Sequence, residues 1–339
     1  MAVLVTFGEA MVRLTPPDFE RLEQARRLDV QVGGGELNVA VGATRMGVPS
    51  AWVSRLPDNP LGRLVANRAR EHGVDVSHVV WAAGERVGLY FVEAGAAPRA
   101  SAVLYDRAGS AASRLAPGMI DWARVFDGAR WFHTSGITPA LSATAAAAVA
   151  EALEAARRAG LTVSYDLNYR SKLWSPAEAR RVQEPLMRFV DVLITTEEDT
   201  RVVFGIESGR SADGYTAVEA ASYAQVAREL QGRFGFRAVA VTLRENPRVW
   251  LNTWSAIVVA GGDVHEAPRY EVEIVDRIGA GDAFSAGFIA GALEGDWEKA
   301  VRLGAALSAL KHSMPGDFSW STRREVEQLL EGASLRVAR

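Results

Sequence analysis

The sequence contains no cysteine, which excludes disulfides, thiolate metal sites and a cysteine nucleophile. It also has no basic surplus, since the formal net charge is −3 and the pI is about 6.0, so a nucleic-acid partner is not expected. No polybasic run points to a membrane surface, and no apolar run reaches the length of a membrane span. The first residues lack the basic and apolar regions of a signal peptide. These absences favour a cytoplasmic protein with no membrane partner.

What is present is globular: 339 residues, of which 48% are hydrophobic and 23% charged, enough for one large α/β domain or two ordinary ones. A strand pattern at 130–134 is followed by an alanine-rich helix pattern at 142–159 and a second strand pattern at 161–166. This is a βαβ unit, which requires a parallel sheet covered by helices. The same alternation continues to the end of the chain. We therefore predict an α/β fold with a doubly wound, mostly parallel central sheet flanked by helices.

Two segments interrupt this pattern. Residues 10–32 and 87–113 contain short runs of period-two alternation, which is typical of half-exposed strands. We predict that they form a small β-sheet lid over the carboxyl ends of the parallel strands, where such folds bind ligands. The main domain would then consist of residues 1–9, 33–86 and 114–339. Surface hairpins without a function explain the alternation equally well, whereas a lid with an exposed face could also pair two subunits as a homodimer.

The most informative stretch is Asp276-Arg-Ile-Gly-Ala-Gly-Asp-Ala-Phe-Ser-Ala-Gly287, in which small residues lead into a helical run. The first amides of a helix have no partner within it and carry the positive end of its dipole, so Gly279, Ala280 and Gly281 predict an anion hole. Asp282 beside that hole is a candidate general base for an attacking hydroxyl, with the amides stabilising the group in transfer. The alternative is an ordinary strand-to-helix turn that carries a first-turn carboxylate.

A second glycine cluster lies near the start of the chain. Gly33, Gly34 and Gly35 precede a helical run that contains Asn38. Glycine lets a ligand lie against the backbone, and an amide side chain both donates and accepts hydrogen bonds, as sugar hydroxyls do. The structural alternative is a glycine turn with Asn38 near the helix start.

With these two motifs, in this order and at this separation, the sequence resembles the ribokinase-like (PfkB) carbohydrate kinases over essentially its whole length. The resemblance implies a ribokinase-like fold with a β-lid, and transfer of phosphate from ATP to a sugar hydroxyl with Mg²⁺. Tyr90, Tyr105, Arg107 and Arg170 lie in segments that are similar to those of the 2-keto-3-deoxygluconate kinases. The implied activity is phosphorylation of the terminal hydroxyl of that sugar acid, and two arginines suit its carboxylate.

The resemblance also implies a set of site residues. The catalytic group consists of Asp282 with Gly279, Ala280 and Gly281. The implied substrate residues are Gly34, Gly35, Asn38, Tyr90, Tyr105, Arg107, Asp166, Asn168 and Arg170. The implied nucleotide residues are Thr242, Arg244, Gly279, Gly281, Lys311 and His312. Asp199 and Glu197 would organise Mg²⁺ through water.

The sequence departs from the family pattern in three places. Arg277 stands where the family usually has threonine, and Arg244 stands where it usually has glycine. In the metal-organising motif, Thr196 replaces the usual asparagine and Asp199 the usual glutamate. Three alternatives therefore stay open: a kinase for ribose or fructose, a kinase for a 2-keto-3-deoxygalactonate-type acid, and a sugar-acid-binding homologue without catalysis. For a kinase of a neutral sugar, Arg107 and Arg170 would not converge on one pocket. A nicotinamide dehydrogenase fits poorly, because Gly-x-Gly-x-x-Gly does not follow the first strand.

Overall fold

The structure is a computed structural model that describes residues 1–207, 220–248 and 250–332. Within these ranges the strands, in chain order, are β1 (Leu4–Phe7), β2 (Met11–Thr15), β3 (Asp29–Gly33), β4 (Ser50–Val53), β5 (Arg55–Pro57), β6 (Val80–Ala82), β7 (Gly88–Glu93), β8 (Ala102–Asp106), β9 (Trp131–Ser135), β10 (Thr162–Asp166), β11 (Val192–Thr195), β12 (Ala238–Arg248), β13 (Leu251–Ala260), β14 (Asp263–Glu266) and β15 (Tyr270–Glu273).

The helices in the same ranges are α1 (Gly35–Arg45), α2 (Pro60–Glu71), α3 (Trp122–Val125), α4 (Ala143–Arg158), α5 (Pro176–Gln183), α6 (Glu197–Phe204), α7 (Ala220–Phe234), α8 (Ala280–Leu293), α9 (Trp297–His312) and α10 (Arg323–Leu330). Many of them begin at a side-chain cap: Asn59, Ser142 and Asp296 each accept a hydrogen bond from a first-turn amide, which satisfies a donor that the helix leaves open. None of the described helices has the length and apolar character needed to cross a membrane.

The main sheet has the strand order β14-β13-β12-β11-β10-β9-β1-β4, with β15 also paired to β13. From β4 to β12 every neighbouring pair is parallel, and β13, β14 and β15 add antiparallel pairs at one end. One face carries an apolar core that includes α4, α5 and α7, and the other carries a core formed with α1, α8 and α9. The predicted doubly wound, mostly parallel α/β fold is confirmed.

A separate four-stranded sheet has the order β3-β2-β7-β8. Its strands come from the two interrupting segments, except that β3 ends at Gly33. The strand β2 is antiparallel to β3 and parallel to β7, and β8 closes the sheet antiparallel to β7. Paired residues share a face of a sheet. Arg13, Tyr90 and Tyr105 therefore form a row on one face, in register across β2, β7 and β8.

Helix α8 is the element that carries the late glycine motif, and it packs very closely on its neighbours. A Cβ atom on Gly291 would lie 2.5 Å from Ala300 Cα, and one on Gly42 would lie 2.7 Å from Ala286 Cβ. Phe284 and Phe288 on α8 are completely buried. Such close packing resists displacement, so the start of α8 is a fixed point of the molecule.

Candidate active site

One cavity of about 1250 Å³ lies at the carboxyl ends of the parallel strands, between the main sheet and the small sheet. All but one of the residues predicted from the sequence line it: Gly34, Gly35, Asn38, Tyr90, Tyr105, Arg107, Asp166, Asn168, Arg170, Glu197, Asp199, Thr242, Arg244, Gly279, Ala280, Gly281, Asp282 and His312. The exception is Lys311, whose side chain is completely buried. Its ammonium group donates to Asp276 O and Met314 O and not to the cavity, which corrects its prediction as a nucleotide contact.

The start of α8 faces this cavity. Gly279 precedes the helix with φ +83°, and no side chain of the described residues caps it. A Cβ atom on Gly279 would lie 2.0 Å from Asp317 O, so both the left-handed backbone and the close approach require glycine here. The Ala280 amide already donates to Arg277 O over 3.3 Å. With no side-chain cap, the first-turn amides that follow it remain available to an anion.

Asp282 lies in the first turn of α8 and is half-buried. Asn38 Nδ2 donates to Asp282 Oδ2 over 2.6 Å, and Asn38 Oδ1 accepts from Gly34 N over 3.2 Å. The two glycine motifs, far apart in the chain, thus meet through one side-chain pair. Burial raises the pKa of Asp282 to about 6, against the opposing effect of the Asn38 hydrogen bond. A carboxylate with a pKa near the working pH is well matched to general-base chemistry.

Aromatic side chains of the small sheet form the opposite wall. Tyr90 and Tyr105 stack with ring centroids 6.0 Å apart. The Tyr90 hydroxyl donates to Asp317 Oδ2 over 2.6 Å, and the glycine at position 33 makes room, since a Cβ atom there would lie 2.4 Å from that hydroxyl. Tyr90 is therefore held in place by Asp317, which was not among the residues predicted from the sequence. The Tyr105 side chain is exposed to the cavity.

The two predicted arginines line the same cavity but differ in their contacts. Arg107 Nε donates to Glu9 Oε2 over 2.8 Å, and its Nη2 also pairs with that carboxylate. Arg170 is exposed and donates from Nη1 to Tyr169 O over 3.0 Å. Lys172, which the sequence analysis missed, lies with its ammonium group 5.6 Å from the centre of the Tyr105 ring. The cavity is therefore lined by three cationic side chains, of which Arg107 and Lys172 each lie 5.6 Å from the centre of the Tyr105 ring.

Carboxylates gather at the ends of β10 and β11. Asp166 closes β10, and Asn168 just beyond it has φ +40° and donates to Asp166 Oδ2 over 3.4 Å. Burial, together with the neighbouring Asp199 and Asp282, raises the pKa of Asp166. Burial likewise raises the pKa of Asp199 to about 6. In the described ranges no group of three or more histidines and carboxylates could hold a metal ion.

Thr196, a departure from the family pattern, has a structural task. Its hydroxyl accepts a hydrogen bond from Asp199 N over 3.1 Å and so caps α6. A threonine cap fixes where the helix begins and hence where Asp199 and Glu197 lie.

The far end of the cavity is cationic and aromatic. Thr242 and Arg244 lie on β12, and Trp254 on β13 lies directly opposite Arg244. His312 stacks against Trp254 with ring centroids 5.1 Å apart, and burial lowers the pKa of His312 to about 4, so the ring is neutral. Trp254 Nε1 is buried without a hydrogen-bond partner among the described residues. An indole donor beside the cavity fits a ligand that brings acceptors, as a nucleotide does.

A buried ion network connects the small sheet to the start of α8, and it was not predicted from the sequence. Arg13 on β2 is 3% exposed and forms ion pairs with Asp276 Oδ2 at 2.6 Å and Asp317 Oδ1 at 2.9 Å. Asp276 Oδ2 also accepts from Gly316 N over 3.0 Å. The one available signal was a charged residue within the alternating pattern of β2.

Comparisons with known proteins agree with this geometry. The chain is 44% identical over 339 residues to a 2-dehydro-3-deoxygalactonokinase of Haloferax volcanii, covering 100% of this chain and 99% of the relative. It is 32% identical to a 2-dehydro-3-deoxygluconokinase of Thermoproteus tenax, with 98% and 95% covered. The crystal structure of a Thermotoga maritima 2-dehydro-3-deoxygluconokinase superposes with a TM-score of 0.92 at 44% identity, covering 98% of this chain and 99% of the other. Residues 1–321 match the profile of the pfkB family carbohydrate kinases, and the chain belongs to that family.

Proposed function

We propose that this carbohydrate kinase phosphorylates the terminal hydroxyl of a 2-keto-3-deoxy sugar acid, with ATP as phosphoryl donor and Mg²⁺. The observation that carries the proposal is one cavity that is lined both by Asp282 with the open start of α8 and by the three cationic side chains described above. A sugar acid has a carboxylate for the cations and a hydroxyl for the base. Relatives of both the gluconate and galactonate type support the substrate class.

In this proposal each wall has its own task. Asp282 accepts the proton of the sugar hydroxyl, and Asn38 holds the carboxylate in the required orientation. The amides at the start of α8 take up the charge of the transferred group. Gly34 and Gly35 let the sugar lie against the backbone, with Asp166 and Asn168 beside it. Arg170, Arg107 and Lys172 bind the substrate carboxylate.

The nucleotide would occupy the other end of the cavity. Thr242, Arg244, His312 and the unpartnered Trp254 Nε1 line that end. Asp199 and Glu197 would hold Mg²⁺ through water, and the ion, when bound, neutralises phosphate charge. Because ATP and Mg²⁺ are supplied in the cytoplasm, we place the activity there.

The test is a coupled kinase assay with ATP across 2-keto-3-deoxygluconate, 2-keto-3-deoxygalactonate, ribose and fructose, with Asp282→Asn as control. We expect turnover on one or both sugar acids and little on the neutral sugars. Turnover on ribose or fructose alone would mean that the substrate is a neutral sugar and not a sugar acid. Binding of a sugar acid without ATP consumption would favour the non-catalytic alternative, against which the intact Asn38–Asp282 pair argues.

We also propose a homodimer formed through the small sheet. Val30, Leu14, Phe91 and Leu104 are in register across all four strands, on the face opposite Arg13 and Tyr90. Val30 is 49% and Leu104 59% exposed, so the row offers an apolar surface. Light scattering should give a dimer for the wild type and a monomer for Leu104→Glu. Leu61→Glu, at a leucine on α2 that is 46% exposed, should remain dimeric, and a monomeric wild type would refute the proposal.

A further inference from the structure

Lysine is scarce in this chain. Of its 38 lysine and arginine residues only Lys172, Lys299 and Lys311 are lysines. Lys172 is exposed and Lys299 has a 43% exposed side chain, whereas Lys311 is 0% exposed. Burying a charged group costs several kcal/mol unless its surroundings compensate it. A sequence that uses arginine almost everywhere and yet buries one compact ammonium group has a particular site for it.

That site lies directly behind the start of α8. Lys311 Nζ donates to Asp276 O over 3.0 Å and to Met314 O over 3.3 Å. Its hydrogen-bond partners among the described residues are thus carbonyl oxygens, the ligands that a small monovalent cation would take. Burial lowers the pKa of Lys311, against the opposing effect of the carboxylates of Asp276 and Asp317. Both carboxylates already form ion pairs with Arg13.

The end of α9 holds the segment 275–280 at both of its ends. His312 O accepts from Val275 N over 2.8 Å and from Asp276 N over 3.1 Å, and Ser308 Oγ donates to Ala280 O over 2.7 Å. Lys311, three residues after Ser308 on the same helix face, lies between these attachments. Residues 277–280 of this segment line the cavity and Lys311 does not, so the ammonium group lies behind them.

We propose that the Lys311 ammonium group is a built-in cation of the anion hole, which fixes the Asp276 and Met314 carbonyls and adds positive charge behind the amides that receive the phosphoryl group. Lys311 is a positioning residue, since it acts through the backbone and does not touch the substrate. Fixed charge of this kind needs no reorganisation when the transferred group becomes more negative. The inference rests on ATP being the donor, as proposed above.

If the ammonium group supplies the cation, a variant that lacks it should regain activity when a small cation is added. Lys311→Ala removes the ammonium group and leaves a space bordered by two carbonyls, which suits ammonium or potassium ions. We expect Lys311→Met and Lys311→Ala to lower kcat about a hundredfold, the loss typical of one anion-hole donor, with the KM for the sugar acid nearly unchanged. Ammonium chloride should restore much of kcat to Lys311→Ala, whereas tetramethylammonium chloride should not. Lys299→Ala, an exposed lysine of the same helix, should show neither the loss nor the rescue.

Two further measurements separate this inference from the sugar assignment and from folding. Calorimetry should show that Lys311→Met weakens binding of a non-hydrolysable ATP analogue more than binding of ADP, whichever sugar is used. The wild-type rate should be equal in choline and potassium salts, which needs no variant. Three results would each overturn the proposal. The first is a folded Lys311→Met that discriminates between the ATP analogue and ADP as the wild type does, and the second is a folded Lys311→Ala that ammonium does not rescue. The third is a wild-type rate that depends on potassium.

Discussion

The two walls of the cavity are held in place by different forces. The wall that carries Asp282 belongs to α8, whose apolar side chains are buried against α1 and α9. The wall that carries Tyr90 and Tyr105 belongs to the small sheet, where the apolar cluster on the cavity side contains only Met11, Tyr90 and Val92 as buried members. That sheet is joined to the start of α8 by Arg13 and two carboxylates. Close packing fixes the wall assigned to chemistry, and buried charge fixes the wall assigned to recognition.

This difference means that the two walls can be altered separately. A change at the α8 wall should lower kcat and leave sugar affinity nearly intact. A change at the small-sheet wall should alter affinity or the attachment of the sheet, while the core of the main domain remains folded.

The largest effect is expected for Asp282→Asn. An amide cannot accept the proton of the sugar hydroxyl, so kcat should fall about a thousandfold while KM changes little. The folded protein should not lose stability, because burial already disfavours this charge. Steady-state kinetics and a thermal melt check both points. Retention of more than about a tenth of the rate would remove Asp282 as the base.

The attachment of the small sheet is tested by Arg13→Met. This variant leaves Asp276 and Asp317 buried without their cation, which should cost about 3–5 kcal/mol of unfolding free energy. The control is Arg63→Met, whose ion pair with Asp58 is more than half exposed on both sides and should cost no more than about 1 kcal/mol. Urea unfolding compares the two. Equal losses would mean that buried charge does not hold the sheet.

Recognition of the substrate carboxylate is tested by Arg170→Gln. We expect the KM for the sugar acid to rise about tenfold or more, since a hydrogen bond to a charged group contributes about 1.5–3 kcal/mol, with kcat changed much less. Arg181→Gln, an exposed residue of α5, is the matched control. A fall in kcat at constant KM would contradict the role of Arg170 in binding the substrate carboxylate.

The smallest effect concerns a buried acid that lies outside both walls. Glu36 is 0% exposed and accepts hydrogen bonds from Ser135 and Thr138, and burial raises its pKa from 4.5 to about 7. The folded state therefore binds the proton more tightly than the unfolded chain does, so Glu36 lowers stability as the pH rises from about 4.5 through 7.

Glu36→Gln removes this pH dependence. We expect it to raise the unfolding free energy by about 1–2 kcal/mol near pH 8, somewhat less than the roughly 3 kcal/mol of the full pKa shift, and by almost nothing near pH 4.5. Urea unfolding at the two pH values measures the difference. Equal changes in unfolding free energy at the two pH values would show that titration of the Glu36 carboxylate is not the cause. The kcat of Glu36→Gln should equal that of the wild type at both.

Local patterns made the main domain and the Asp282 wall predictable. The strand and helix periods indicated the parallel sheet, and each glycine motif pointed to its own half of the Asn38–Asp282 pair. What the sequence did not reveal depends on contacts between distant residues. Arg13 and Asp317 are 304 positions apart, and nothing near either one indicates the other. Lys311 follows a helical pattern that gives its position but not the target of its ammonium group, so its predicted nucleotide contact was wrong.

The central claim is that a carboxylate at position 282 with a pKa near 6 takes the proton, and the pH dependence of kcat/KM tests it most directly. The wild-type value should fall about tenfold per pH unit below about pH 6, because protonation removes the base. Asp199 and Glu36 titrate in the same range, so Asp199→Asn and Glu36→Gln must be measured as well. We predict that the kcat/KM profiles of Asp199→Asn and Glu36→Gln keep the inflection near pH 6, whereas the residual rate of Asp282→Asn lacks it. A wild-type profile that stays flat down to about pH 5, or an inflection that disappears with residue 36 or 199 instead, would contradict the account.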